Sequence, residues 1–256
     1  MTADPSTGFD PFAPSGIRPA TAAESAAPAV AVIIGQSNAY HGDSSTADPV
    51  YGSAAVGAGV TYYENGTLTA TWGNSPGLAP HLAARMLEAQ VAAGVPVPAC
   101  TVLVHAGGGE SAPTTRSVRY PAAITKLRAL GLTPDLWVYW QGEAETQDGT
   151  QASSPAESHR DKVGRMCHMM WSEYPNSRVY LMNLLMASND YGGAGNSTHW
   201  PVVAAGFPII AAAHPGRAKV VETRLPSVLT MADVVHAHPV GGFDVASQRI
   251  AALFGL

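Results

Sequence analysis

The sequence predicts an α/β protein in which helices cover both faces of a parallel sheet. Hydrophobic residues make up 46% of the 256 positions, which is enough for a sizeable core. Short apolar runs alternate along the chain with longer amphipathic segments. No internal repeat interrupts this alternation, so a single layered domain is expected over residues 29–256.

Five apolar runs predict the strands of a central parallel sheet, at residues 29–34, 100–105, 135–140, 178–184 and 219–223. Helices are predicted near residues 78–93, 121–130, 156–173, 202–213 and 243–254. The strand-like segments 60–64 and 67–72 flank Asn65-Gly66, which predicts a small hairpin outside the main sheet. Residues 1–28 are rich in Ala, Pro, Ser and Thr without a period, and we expect a flexible tail or linker there.

Composition excludes several classes of function. Only 13% of the residues are charged and the formal net charge is -5, so the chain lacks the basic surface that nucleic-acid binding needs. No apolar stretch approaches the roughly 18 residues of a membrane-spanning helix, and no export signal is visible. We therefore expect a soluble protein. Cys100 and Cys167 show no metal-ligand spacing and are predicted to be buried thiols.

A hydroxyl group stands where the first predicted strand breaks into a turn. Gly35-Gln36-Ser37-Asn38 follows that apolar run directly, and a hydrolase mounts a nucleophile at such a place. Near the far end of the chain, Asp233 and His236 are separated by two residues. An imidazole can take the proton of Ser37, and a carboxylate can hold that imidazole in the useful tautomer. The pattern predicts a Ser-His-Asp triad.

The other candidate motifs also follow predicted strands. The glycine run at 107–109 follows the second strand, and Gln141-Gly142-Glu143 follows the third. Because loops at the carboxyl ends of parallel strands meet at one edge of the sheet, these groups are expected to surround Ser37. Glycine lets a backbone N–H approach an oxyanion closely, and Gln141 can add an amide donor beside the Ser37 N–H.

A second serine fits the Gly-x-Ser-x-Gly pattern, at Ser75. In that nucleophile elbow the residue after the serine donates its N–H to the oxyanion, but Pro76 has no N–H. No apolar strand precedes Gly73 either. We therefore favour Ser75 as a helix N-cap with Pro76 at the first helical position.

Two further alternatives remain beside the triad. Asp233, His236 and His238 form an Asp-x-x-His-x-His pattern that a zinc site could use. Glu143 and Glu145 could be proposed as the acid and base of a glycosidase, although residues two apart on one loop are not readily placed on opposite sides of a sugar. We predict neither a metal nor another cofactor.

Taken together, the motifs resemble the sequence blocks of SGNH hydrolases, and especially the sialate O-acetylesterase and acetylxylan esterase-like carbohydrate esterases. The resemblance runs from about Val30 to the C-terminus and rests on several ordered motifs: Gly35-Gln36-Ser37-Asn38, Gly107-Gly108, Gln141-Gly142-Glu143 and Asp233-x-x-His236. It implies a flavodoxin-like three-layer α/β/α fold with a five-stranded parallel sheet. It also implies metal-independent removal of acetyl groups from sugars.

The resemblance assigns roles to individual positions. Ser37 would be the nucleophile with Asp233 and His236 as its partners, and Gly108 and Gln141 would join the Ser37 N–H as oxyanion donors. Supporting roles fall to Gln36, Asn38, Gly107 and Glu143. The sequence departs from the family pattern at three places: Trp140, Ala144-Glu145 and Gly109. We expect these differences to affect substrate fit more than hydrolysis.

The prediction is a serine esterase acting on acetylated carbohydrate or another short-acyl ester. The alternative is a carbohydrate-recognition module that keeps the fold without the activity; a metal-dependent hydrolase is less favoured. Aromatic residues could form a sugar-binding rim, at Tyr62, Trp72, Tyr191 and Trp200. A polysaccharide substrate would place the protein outside the cell, on a surface or on a viral particle, and otherwise in the cytoplasm. The sugar, the ester position and the oligomeric state are left open.

Overall fold

One mixed sheet forms the centre of the computed structural model, which describes residues 27–40, 48–73, 77–146, 159–183, 196–222 and 239–254. Within these residues the sheet has seven strands: β1 (Val30–Gly35), β2 (Val60–Glu64), β3 (Thr67–Thr69), β4 (Cys100–Ala106), β5 (Leu136–Trp140), β6 (Arg178–Met182) and β7 (Ala218–Val221). Their order across the sheet is β3-β2-β4-β1-β5-β6-β7. The first strand of the chain therefore lies in the middle.

Helices connect these strands. In the described part of the chain they are α1 (Ser37–Tyr40), α2 (Ala79–Ala92), α3 (Ala112–Thr114), α4 (Tyr120–Leu130), α5 (His159–Glu173), α6 (Asn196–Ala213) and α7 (Val245–Ala251). A wide helical turn, Thr115–Arg119, joins α3 to α4, and a similar turn, Pro239–Asp244, precedes α7. A tight helical turn, Glu143–Thr146, follows β5.

Parallel pairing brings the carboxyl ends of the main strands to one edge. β1 pairs in parallel with β4 on one side and with β5 on the other, and β2, β6 and β7 continue the parallel arrangement. Only the short β3 runs antiparallel among these strands, against β2. The loops after β1, β4, β5 and β7 therefore leave the sheet at the same edge.

The side chains of the central strand divide between two cores, one on each face of the sheet. Ala31 and Ile33 belong to the core that α2 and α7 cover. Val32 and Ile34 belong to the core that α4, α5 and α6 cover. All four side chains are fully buried, as expected for a strand with a continuous apolar run. The predicted α/β class and its three layers are confirmed.

The predicted position of the hairpin is wrong. Its two strands join the main sheet, since β2 pairs with β4 in the register Val60↔Cys100. Tyr62 is 1% exposed and its ring centroid lies 4.5 Å from that of Trp72. Burial of this aromatic pair against the sheet explains why the hairpin extends the sheet instead of standing apart from it. The sheet has the five predicted strands and these two more.

One helix begins earlier than its sequence predicts. We expected a start at residue 202, after Pro201, but α6 begins at Asn196 and contains both Pro201 and Pro208. Proline removes one backbone hydrogen bond and disturbs the preceding turn. The buried side chains of Val203 and Phe207 hold the helix on the sheet and outweigh that cost.

Both cysteines are buried free thiols, as predicted. Burial raises the pKa of Cys100 and of Cys167 to about 12, so neither is a reactive nucleophile. Among the described helices, none combines the length and the apolar character needed to cross a lipid bilayer. The predicted tail falls almost entirely on residues 1–26, outside the described ranges.

Candidate active site

Ser37 lies at the carboxyl end of the central strand. β1 ends at Gly35, Gln36 makes the turn, and Ser37 is the first residue of α1. Ser37 is 9% exposed, which places it at the boundary between the core and solvent. In α/β proteins this edge of the sheet collects the ligand-binding loops. The hydroxyl group therefore stands where the sequence predicts a nucleophile.

A close approach of two strand ends holds the turn before Ser37. Gly35 has a φ of 154°, and a Cβ atom there would lie 1.9 Å from the carbonyl oxygen of Trp140. The backbone N–H of Gln36 donates to the same oxygen at 3.1 Å. Only glycine allows this contact, so the turn after β1 is seated directly on the end of β5.

Three of the predicted supporting residues meet around this turn. The Asn38 side chain donates from Nδ2 to Oε1 of Glu143 at 3.0 Å. The Gln36 side-chain oxygen accepts the backbone N–H of Ala144 at 3.3 Å. Asn38 is 0% exposed and Glu143 is 4% exposed. Because breaking a buried hydrogen bond is costly, these bonds hold the two side chains in one conformation. The loop after β5 is thereby attached to the helix that begins with Ser37.

The glycine loop after β4 lies on the other side of Ser37. The backbone N–H of Gly107 donates to the carbonyl oxygen of Gly35 at 3.3 Å, which continues the pairing of β4 with β1. Gly107 therefore has its N–H engaged within the sheet. Gly108 is exposed, and a Cβ atom there would meet nothing within 4 Å. Of the two glycines, Gly108 is the one with room for a ligand.

An ion pair packs against this glycine loop. Arg119 donates from Nε to Oε2 of Glu110 at 2.8 Å and from Nη2 to Oε1 at 2.5 Å. A Cβ atom on Gly107 would lie 2.3 Å from Nη2 of Arg119. Asn65, at the hairpin turn, accepts the N–H of Ala106 at 3.2 Å and a hydrogen from Nη1 of Arg119 at 3.3 Å. The hairpin, the ion pair and the loop support one another.

Gln141 is fully buried and its amide group faces inward. Nε2 donates to the carbonyl oxygen of Glu110 at 3.2 Å and to Oε2 of Glu145 at 2.5 Å. Oε1 accepts the hydroxyl of Tyr139, and Nε2 of His159 lies 3.3 Å from it. Both amide hydrogens are therefore occupied in this arrangement. Donation to an oxyanion requires the Gln141 amide to turn away from one of these acceptors.

The residues behind Gln141 were not foreseen. His159 is fully buried, and burial, with a smaller effect of Lys162, lowers its pKa to about 3, so the ring is neutral. Burial also raises the pKa of Tyr139 well above its usual value, so the phenol keeps its proton. Tyr139 and His159 are thus both available as neutral donors to Gln141. They are 20 residues apart in sequence (159 − 139), and no local pattern connects them.

The two glutamates of this loop do not face an open cleft. Glu143 is 4% exposed and Glu145 is 0% exposed. Glu143 accepts from Asn38, and Glu145 accepts the backbone N–H of Ala112 at 2.7 Å as well as the Gln141 amide. Carboxylates engaged in this way are not placed on two sides of a sugar, so the geometry does not support the glycosidase alternative.

The predicted partners of Ser37 lie outside the described residues, since Asp233 and His236 fall in the undescribed range 223–238. The flanks of this range are described. β7 ends at Val221 at the same edge of the sheet as Ser37, and the ring of Phe243 lies 5.8 Å from that of Trp140.

Other predicted site residues fare differently. The proposed sugar-binding rim is wrong for Tyr62 and Trp72, which are 1% and 4% exposed and belong to the core. Tyr191, the side chain of Trp200 and the rival Ser75 lie outside the described residues. The metal alternative rests on 233–238, which is also outside them. Within the described ranges no group of three or more His, Cys, Asp or Glu side chains is placed to hold a metal ion.

Comparison with known proteins agrees with the resemblance at the level of the fold. No protein-family model matches the sequence, and no curated protein matches it significantly. Solved structures do match. A protein from Arabidopsis thaliana superposes with a TM-score of 0.61 at 14% identity, covering 89% of this chain and 98% of that one.

Several matching structures are described as ester hydrolases, among them the following two. A lipase/acylhydrolase from Enterococcus faecalis gives a TM-score of 0.55 at 15% identity, with 89% of this chain and 95% of that chain covered. A carbohydrate acetylesterase from Xanthomonas citri gives 0.61 at 15% identity, with 87% of this chain and 55% of that chain covered. The chain therefore shares its fold with these solved lipase/acylhydrolase and carbohydrate acetylesterase structures.

Proposed function

We propose that this protein is a serine esterase that removes acetyl or other short acyl groups from carbohydrate. The observation that carries the proposal is the position of Ser37 at the end of the central strand, between two loops that are bonded to its turn. Gly107 donates to Gly35 on one side, and Trp140 accepts from Gln36 on the other. An ester carbonyl bound at Ser37 would lie close to the exposed Gly108.

Chain length and packing support a triad with Asp233 and His236. Asp233 follows Val221, the last residue of β7, by 12 positions (233 − 221), a reach of up to about 40 Å in extended form. β7 lies only three strand spacings, about 14 Å, from β1. On the other flank, Phe243 packs on Trp140, whose carbonyl oxygen binds the turn before Ser37.

In the proposed reaction the Ser37 oxygen attacks the ester carbonyl while its proton passes to His236, which Asp233 orients. The backbone N–H groups of Ser37 and Gly108 stabilise the negative oxygen of the tetrahedral intermediate. Gln141 adds a donor when its amide turns from one of its present acceptors, the carbonyl oxygen of Glu110, while the bond to Glu145 stays. The bond to the sugar oxygen then breaks, and His236 returns the proton to that oxygen. Water, activated by His236, releases the acyl group and restores the serine.

The substrate class is proposed from the fold relatives. The carbohydrate acetylesterase from Xanthomonas citri shares the fold of this chain over 87% of its length. Tyr62 and Trp72 are buried in the core, so these aromatic residues give no independent support for sugar binding. The carbohydrate part of the proposal therefore depends on assays with acetylated xylan and acetylated sialic acid.

Turnover of p-nitrophenyl acetate by the full chain tests the mechanism. Ser37→Ala should lower kcat/KM by at least about 1000-fold, since removing the nucleophile leaves only binding and oxyanion stabilisation. Ser117→Ala is a matched control, because Ser117 is an exposed serine that donates only to the carbonyl oxygen of Pro113 among the described residues. Activity should survive a chelator.

Two outcomes would contradict this proposal. Turnover that Ser37→Ala retains and a chelator abolishes would indicate a metal-dependent hydrolase. No turnover of any acetyl ester, together with retained sugar binding, would indicate a recognition module on the same fold.

A further inference from the structure

The buried carboxylate of Glu145 connects the two loops that flank Ser37. Oε1 accepts the backbone N–H of Ala112 at 2.7 Å, and Oε2 accepts Nε2 of Gln141 at 2.5 Å. Ala112 begins the helical run after β4, four positions beyond Gly108. Gln141 follows the last residue of β5 directly. A single side chain thus joins the loop of the candidate oxyanion donor to the strand on which the Ser37 turn rests.

The surroundings of Glu145 suit a charged side chain with a defined position. Glu145 is 0% exposed, and burying a carboxylate is costly unless its oxygens are hydrogen-bonded. Here each oxygen has a donor, and one of them is a backbone N–H at the start of a helix, where negative charge is favoured. Hydrogen bonds to a charged group are stronger than those between neutral groups, so these two bonds set the distance between Ala112 and Gln141.

We propose that Glu145 is a positioning residue, which fixes the distance between the Gly108 and Ser37 backbone N–H groups by joining Ala112 to Gln141. This inference rests on the proposed esterase function. A displacement of about 1 Å at an oriented catalytic group can cost about 100-fold in rate. Loss of this link should therefore lower turnover through the oxyanion donors without removing any group that touches the substrate.

Glu145→Gln is the direct test. Whichever way the new amide is turned, its nitrogen faces either the N–H of Ala112 or the amide of Gln141, so one donor meets another donor and one contact is lost. With p-nitrophenyl acetate, kcat should fall by about 10- to 100-fold while KM stays within about twofold. Glu145→Asp is a second test, to be used if the Gln variant does not fold. It keeps the charge but is one methylene shorter, so it should also lower kcat.

Asp135→Asn is the matched control. Oδ2 of Asp135 accepts the backbone N–H groups of Ala29 and Val30 at 2.8 and 2.9 Å, so it is also a carboxylate that joins two segments. It lies before β5, at the opposite edge of the sheet from Ser37. Both N–H groups donate to the same oxygen, so the amide oxygen of Asn can still accept them. The control removes a carboxylate charge as Glu145→Gln does, and it should keep kcat. An equal loss of kcat in Asp135→Asn and Glu145→Gln would overturn the positioning role.

A measurement without turnover separates this inference from the esterase proposal. In amide NMR spectra, Glu145→Gln should shift the signal of Gly108, while the signals of Gly94 and Gly131, at turns on the opposite edge, stay in place. Unshifted Gly108 in a folded Glu145→Gln variant overturns the inference even if the wild type is an esterase. A shifted Gly108 in a protein that hydrolyses no ester supports the link and refutes the esterase proposal.

Discussion

The close approach at Gly35 gives a sharp prediction about stability. In Gly35→Ala the new Cβ atom would lie 1.9 Å from the carbonyl oxygen of Trp140, whereas such contacts are essentially never shorter than 3.0 Å. The ends of β1 and β5 must therefore separate by at least 1.1 Å (3.0 − 1.9). The obstacle is backbone, so no side chain can rotate away to relieve it.

Three effects contribute to the expected loss. The hydrogen bond from Gln36 to Trp140, now 3.1 Å, breaks when the strands part, which costs about 1 kcal/mol. Alanine at a φ of 154° adds backbone strain of about 1–3 kcal/mol. Overpacking between the strand ends adds about 1–3 kcal/mol. Together these approach the total stability of about 5–15 kcal/mol that is typical of a folded domain.

Urea unfolding followed by circular dichroism measures this loss. Gly35→Ala should unfold at a much lower urea concentration than the wild type, and the remaining folded protein should hydrolyse p-nitrophenyl acetate poorly. Gly57→Ala is the control, since a Cβ atom on Gly57 meets nothing within 4 Å. If both variants unfold at the wild-type midpoint, the argument from the close approach is refuted.

Two further predictions concern buried polar groups away from Ser37. Gln90 makes three hydrogen bonds of 2.9 Å, one with the backbone of Pro28 and two with that of Ala99. Gln90→Ala should therefore lower the free energy of urea unfolding by about 2–4 kcal/mol and leave kcat unchanged. A loss of unfolding free energy below about 1 kcal/mol would contradict this prediction. Burial, with smaller effects of Arg119 and Lys126, lowers the pKa of His105 from 6.5 to about 4. The unfolded chain therefore binds a proton that the folded chain excludes, and this contribution to stability is complete above pH 6.5 and declines as the pH falls towards 4. Between pH 7 and pH 4.5 the wild type should lose up to about 3 kcal/mol more unfolding free energy than His105→Gln, and equal losses in the two proteins would contradict the assignment.

The sequence predicts much of this fold because its strongest signals are local. The apolar run before Gly35 is typical of a strand buried on both faces, and the break after it places Ser37 at a loop. The same reasoning gives the alternation of strands and helices and hence the edge at which the candidate loops meet. The positions of Gln36, Asn38 and Glu143 around one turn follow from that edge.

Other features depend on contacts between distant residues and could not be predicted. The pairing of β2 with β4 joins segments about 40 residues apart, and the alternation within Val60–Glu64 does not say which strand it meets. Likewise, Glu145 is a departure from the family pattern in the sequence, but its two partners come from other loops. The inward position of the Gln141 amide also results from tertiary contacts that its motif does not encode.

The central position of β1 in the sheet determines how slowly its backbone amides exchange with deuterium. Its amides are paired on both sides, with β4 and β5, so they can exchange with deuterium only when neighbouring strands come apart. Ser37 therefore follows, by two residues, the end of the strand that is expected to exchange last. Local opening elsewhere in the molecule would leave this strand paired, and the start of the Ser37 turn with it.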